Sequence, residues 1–377
     1  MLPKERVIAA LEHREADRVP IGEQGVDWEV TDRALGVQTL YRAKWRQYTA
    51  LWEGRRDEIA ESHWRDLVGL TRKFEWDFVV VPTVPARKGS YYVPEMLGDY
   101  TWRDETGRVW QYSPDSGGHA MVKEYPPMTI DDIPDPDGPF SIDASEFEAM
   151  ERVVKEIGRT HFVFGRVPDG TFPWQETVGL EDYLTKMITE PEFVRKAAAY
   201  HTNKSIAYVK AAAATGIDGI LVGTDYADNH GPMMGPRLFR EFLLPWLAAT
   251  AKAAHDEGLF FVKHTDGNLW SVLDDFVAAG VDGWQGIQPR IGMDMKLLKE
   301  KYAGKLTLVG GVNCETLTLG TQEDVEEEVK YAIRHAAPGG GLMMCSGNTL
   351  MPGTKYENYL AMVDANRRYG KYPIGGF

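Results

Sequence analysis

Cysteine is almost missing from this chain, with Cys314 and Cys345 the only two in 377 residues. Two thiols without a Cys-x-x-Cys spacing exclude a disulfide framework, and a reducing cytoplasm is the expected home. Basic charge is also short: 42 Lys and Arg stand against 56 Asp and Glu, for a net charge of -14. Nucleic acid and anionic membrane both need a basic face, so neither is expected as a main partner. No apolar run approaches the roughly 18 residues of a membrane helix, and the charged, amphipathic segment Met1 to Arg18 does not read as a signal peptide. A dinucleotide fingerprint, a phosphate loop with its lysine and a Gly-x-Ser-x-Gly elbow are all missing. Gly339-Gly340-Gly341 precedes a strand instead of following one, which puts it at the structural end of any parallel α/β fold.

What the chain does have is a regular alternation of apolar runs and amphipathic helices. The runs are Arg18 to Ile21, Phe78 to Pro82, Phe162 to Val167, Gly219 to Asp225, Leu259 to His264, Gly283 to Pro289, Leu306 to Val312 and Gly341 to Cys345. Two helix-to-strand joints nearly repeat, Gly216-Ile217-Asp218-Gly219 and Gly280-Val281-Asp282-Gly283, each with a glycine placed for a helix C-cap. Eight strands alternating with helices predict a (β/α)8 barrel formed by residues 1–377 as one domain, with a doubly wound open sheet as the alternative. Residues 83–160 form an insertion after the second strand. Its centre, Tyr100-Thr101-Trp102 and Val109 to Tyr112 around Glu105-Thr106-Gly107, reads as a β-hairpin.

In such a barrel the chemistry sits at the C-terminal ends of the strands. The fifth run ends in His264-Thr265-Asp266, and residues i and i+2 of a strand face the same way, so the imidazole and the carboxylate are expected side by side. Glu23 follows the first run and Asp225 ends the fourth; both are candidates for acid/base work or metal binding. Trp28, Trp174 and Tyr226 are candidate aromatic walls, and His230, Gln288 and Asn348 candidate polar contacts.

Several segments taken together resemble the uroporphyrinogen decarboxylase superfamily. They are Pro3 to Val7, His13 to Pro20, Gly223-Thr224-Asp225-Tyr226 with Gly231-Pro232, His264 to Asn268, Gly310-Gly311-Val312, and the tail from Pro338 to Gly370. The resemblance implies the barrel and one of two chemistries. Porphyrinogen decarboxylases carry an Arg-Gln-Ala-Gly-Arg segment after the first strand, where this chain has Glu23-Gln24-Gly25-Val26-Asp27, acids expected to repel a polycarboxylate. The other branch moves methyl groups to and from the cobalt of a corrinoid protein. Its thiol-activating members hold zinc with His-x-Cys and a further cysteine; here the matching positions are His264, Asp266 and Asn348, with Cys345 three residues earlier.

The expectation is therefore a methyltransferase that passes a methyl group from a small methylated donor, above all an aryl methyl ether, to a corrinoid (cobalamin) on a partner protein. His264 and Asp266, with or without zinc, would activate the donor oxygen, and Glu23 and Asp225 would assist. An oxygen-rich ligand set is harder than a thiolate one and suits an ether oxygen better than a thiol. The segment Tyr91 to Tyr125 is expected to form a docking rim for the corrinoid protein. The alternatives are a decarboxylase of a small aromatic or pyrrolic acid and a non-catalytic tetrapyrrole binder.

Overall fold

The computed structural model describes residues 1–89, 92–114 and 119–377. Its strands run in chain order β1 (Gly22–Glu23), β2 (Phe78–Pro82), β3 (Glu95–Gly98), β4 (Thr101–Arg103), β5 (Val109–Ser113), β6 (His119–Glu124), β7 (Phe162–Arg166), β8 (Gly219–Gly223), β9 (Phe260–His264), β10 (Gly283–Gln285), β11 (Thr307–Val312) and β12 (Leu342–Ser346). β1, β2 and β7 to β12 pair in parallel in that order, and a parallel bridge between Ile21 and Met344 joins the last strand to the first. The eight-stranded barrel is the fold expected from the alternation.

Its strands obey the period of two. In β2, Phe78 and Val80 belong to the barrel interior with Phe162, Phe164, Leu221, Val262, Val309 and Met343, whereas Val79 and Val81 belong to the layer between strands and helices. Helix α1 (Pro3–Leu11) adds Val7, Ala10 and Leu11 to the interior cluster and so stoppers the N-terminal end of the barrel. Each large apolar side chain buried this way contributes roughly 1.5–3 kcal/mol.

The first strand lies further along than the sequence suggests. Arg18 bridges antiparallel to Lys371 and the Val19 amide bonds to Gly370, so this stretch is held by the C-terminal tail. Pro20 has no N–H to give and only accepts, from Met344 at 2.8 Å. The repeated joints behave as read: Gly216 and Gly280 have φ of +85° and +83°. The aspartates that follow them do something else as well. Asp218 accepts from the Val163 amide at 2.9 Å and Asp282 from Phe261 at 2.7 Å; Asp77, just before β2, accepts from Ile21 at 2.9 Å. Each carboxylate caps the free N–H at the start of the neighbouring strand.

The insertion contains the expected hairpin, β4 against β5, flanked by β3 and β6 to give a four-stranded antiparallel sheet. It packs on the helix Trp45–Trp52 through rings: Trp45 lies 5.0 Å from Tyr100 and 5.1 Å from Tyr112, and Trp52 5.3 Å from Trp102. Tyr91 and residues 115–118 of the expected docking rim lie outside the described residues. Among the described residues no helix is long and apolar enough to cross a membrane.

Candidate functional site

β8 and β9 end side by side, and three cross-ties fix how their loops leave the barrel. The Lys263 ammonium, fully buried, donates to the Thr224 carbonyl at 2.9 Å and is paired with Asp169. The Thr265 hydroxyl accepts from the Tyr226 amide at 2.8 Å, and Asp225 accepts from the Asp266 amide at 3.0 Å. The chain then turns at Gly267, φ +97°, where a Cβ would lie 2.6 Å from the backbone of Ala227. The turn, as much as the pleat, brings Asp266 back towards His264.

The result is a trio. His264 Nε2 lies 3.7 Å from Asp225 Oδ1 and 4.0 Å from Asp266 Oδ1, and one ligand atom from each residue falls within 4.8 Å of the others. These separations are too long for direct hydrogen bonds and suit atoms that share a third partner. The protonation of the imidazole follows from its neighbour. Gln285 donates to the carbonyls of Ser346 at 3.1 Å and Asn348 at 3.2 Å, so its amide oxygen must face His264 Nδ1, with which it makes a short contact. Nδ1 therefore carries the proton and Nε2 presents its lone pair to the two carboxylates. Burial lowers the imidazole pKa to about 4, with Arg166 adding to the shift against Asp225, so the ring is neutral at pH 7.

A second chain of hydrogen bonds leads into Asp266. Arg166 donates to the Gln24 side-chain oxygen at 2.9 Å, Gln24 to Asn348 at 3.2 Å, and Asn348 to Asp266 Oδ2 at 2.5 Å. Asp266 Oδ1 is left buried with no hydrogen-bond partner. Burial, then the nearby Asp225, pushes the Asp266 carboxyl up to about 7. An orphaned carboxylate oxygen, an imidazole lone pair and a half-exposed carboxylate aimed at one point are a donor set that fits a divalent cation.

His264 and Asp225 of the trio line a cavity of about 460 Å³ together with Arg166, Trp174, Leu180, Met233 and Asn348. A second lobe of about 320 Å³ reaches from Asn348 to Gln288, Arg290, Asn313 and Cys314. The lining is thus mixed, with Arg166, Asp225 and His264 among its charged and polar groups and Trp174, Leu180 and Met233 among its apolar ones.

The family model of uroporphyrinogen decarboxylase (URO-D) matches residues 127–369, well over half of the chain. The chain belongs to the URO-D family. A methyltransferase from Methanosarcina mazei shares the fold over 98% of this chain and 99% of its own, with a TM-score of 0.70 and 22% sequence identity. No curated protein matches the chain.

Within this URO-D barrel, several sequence candidates stand elsewhere. Glu23 is 2% exposed and lies below the trio, where it accepts from Ser346 Oγ at 2.6 Å and from the Ser346 amide at 3.1 Å, with Cys345 Sγ at 3.3 Å. Burial raises its pKa to about 7 against those hydrogen bonds. Tyr226 is not a cavity wall: its side chain is fully buried, bonded to Thr171 and covered by the Lys263 ammonium 4.0 Å above the ring. Trp28 lines neither lobe and is stacked under Arg46 at 4.8 Å. His230 is an exposed loop residue whose amide caps Asp228. Gln288 accepts from the Gly267 amide at 3.0 Å and lines the second lobe. Asn348 does stand at the site, beside Asp266, but the third member of the trio is Asp225.

The acids after β1 line neither lobe. Asp27 is neutralised by Arg42 at 2.6 Å and Lys44 at 3.0 Å, and Glu23 faces β12. Gln285 and Lys263 were missed. Their signal was there to read, as a lone amide and a lone cation inside otherwise apolar strands.

Proposed function

We propose that the protein is a methyltransferase that takes a methyl group from a small methylated donor, an aryl methyl ether, and passes it to a corrinoid carried by a partner protein. The observation that supports this reading best is the convergence of His264 Nε2, Asp266 Oδ1 and Asp225 at one edge of a cavity walled by Trp174. A divalent cation such as zinc, held by these three residues, would supply Lewis acidity at the ether oxygen, and the partner's Co(I) corrinoid would supply the nucleophile. The chain's own residues do the rest. Gln285 fixes the imidazole so that its lone pair faces the point it shares with Asp225 and Asp266, where a cation would be held. Trp174, Leu180 and Met233 offer apolar contact to a ring and keep water from its face. In the transfer the methyl-oxygen bond breaks with its electron pair left on oxygen, and the phenolate takes a proton. Asp266, with a carboxyl held near pH 7, is the residue placed to hold such a proton when no cation neutralises it.

The test combines the purified protein, a Co(I) corrinoid protein and methoxybenzoates. Phenol release with loss of the Co(I) absorbance supports the proposal, and inactivity across ethers, amines and thiols removes it. Elemental analysis separates Lewis-acid from proton-based activation. A second reading, decarboxylation of a small aromatic acid, draws on the family match and on Arg166 in the cavity; carbon dioxide release without methyl transfer would select it.

A further inference from the structure

Arg166 is a cation with no direct ion-pair partner among the described residues, although Asp225 and Asp169 lie near enough to favour its charge. Its described polar contact is a neutral one, to the Gln24 side-chain oxygen at 2.9 Å, and among the described residues no carboxylate lies within ion-pair distance of it. The other buried cations nearby are matched: Lys263 by Asp169, Arg42 and Lys44 by Asp27. Arg166 also ends where a ligand would be. Its Nη2 and the Cδ2 of His264 each lie 3.1 Å from the point a Cβ would take on Gly223, so the guanidinium flanks the imidazole across a residue with no side chain. Both residues line the 460 Å³ cavity together with Trp174 and Leu180. Burial, then Arg42, lowers the guanidinium pKa to about 10 against the smaller opposing pull of Tyr41, Asp225 and Asp169, which still leaves it charged at pH 7. A partly buried, unpaired charge is costly, and a planar fork of N–H donors is matched best by a carboxylate.

We infer that Arg166 is the anchor for a carboxylate on the substrate, so that the methyl donor is a methoxylated aromatic acid whose acid group sits on Arg166 and whose ether oxygen reaches His264, Asp225 and Asp266. The identity of the reacting group rests on the methyl-transfer reading; the carboxylate anchor does not. Arg166 is here a specificity-determining residue, and Gly223 keeps the space between it and the imidazole clear.

The experiment is a binding titration, by calorimetry or by quenching of tryptophan fluorescence, on full-length protein treated with a chelator so that no metal can hold the ligand. The ligands are 4-methoxybenzoate and its neutral isostere 4-methoxybenzamide. The acid should bind about tenfold or more tighter than the amide, as expected for a charge-assisted bidentate contact. Arg166→Gln should erase that preference, and Arg166→Lys should keep part of it. Equal binding of acid and amide by the unmodified protein, undetectable binding of both, or an unchanged preference in a folded Arg166→Gln protein would each overturn the anchor. The unmodified protein carries the first comparison alone, should the variants not fold. Acid preference without methyl transfer would leave the anchor standing and remove the methyl-transfer reading. Methyl transfer from the amide as fast as from the acid would do the reverse.

Discussion

Gln285 shows how one side chain sets the chemistry of another. Because both hydrogens of its amide are spent on the Ser346 and Asn348 carbonyls, its oxygen faces the imidazole and favours the proton on Nδ1 over the longer, 3.5 Å approach of the Gln24 amide. We expect Gln285→Leu, which keeps the volume but removes the acceptor, to weaken zinc binding by about 10–100-fold in competition with a chromophoric chelator. His264→Ala should lose it altogether, and unchanged affinity in both would mean that the cation, if bound, sits elsewhere. Glu23 makes a different prediction, one about stability. Its folded pKa of about 7 lies above the ordinary 4.5, so the folded state holds the proton more tightly than the unfolded chain does. The stabilising protonated form is fully present below about pH 4.5 and is lost as pH rises through 7. Glu23→Gln should therefore gain melting temperature relative to the unmodified protein between pH 5 and pH 8.5. A difference that stays constant across that range would show the carboxyl to be already ionised at pH 5.

At the level of elements, the joints between helix and strand were the most readable part of the chain and still held something unread. Glycine at a helix end is a conformational signal, and both Gly216 and Gly280 deliver it. The aspartate two residues later acts across the sheet on a strand far away in sequence, which no local pattern can announce. Asp77 performs the same task at β2 while pairing with Arg6 at 3.0 Å and Arg18 at 2.7 Å, with its own side chain wholly buried. We expect Asp77→Ala to cost on the order of 3 kcal/mol in urea denaturation, because it strands two guanidinium groups and an amide at once. A loss below about 1 kcal/mol would show that water replaces it. The site divides along the same line. His264 and Asp225 were legible because each closes an apolar run. Tyr226 and Glu23 were misplaced because sequence shows that a residue follows a strand but not whether its side chain turns up into the mouth or down into the wall. Gln285 lies inside a run read as a strand, but the sequence does not show that its side chain meets His264 of the neighbouring strand, a contact set by the register between β9 and β10.

Taken whole, the molecule is a barrel stoppered at one end and fitted with a small aromatic-seated sheet near the other elements of its first third. The sheet is attached mainly through rings, with Trp102 nearly buried among Trp45, Tyr48 and Trp52. Trp102→Ala should cost about 3 kcal/mol or more and, in limited proteolysis, expose residues 92–124 to cleavage before the barrel. Simultaneous digestion of both parts would show the sheet to be integral to the barrel. α1 has a broader consequence. With that helix packed into the N-terminal end, the cavity beside the trio lies at the opposite, C-terminal end of the strands. On the proposed reaction, donor, acceptor and demethylated product would all share that end, and a corrinoid protein resting over it would imprison whatever lies beneath. The small donor would then board before the large acceptor arrives and the phenol would depart only after it has left, a queue that would trace back to a nine-residue plug on the far side of the barrel.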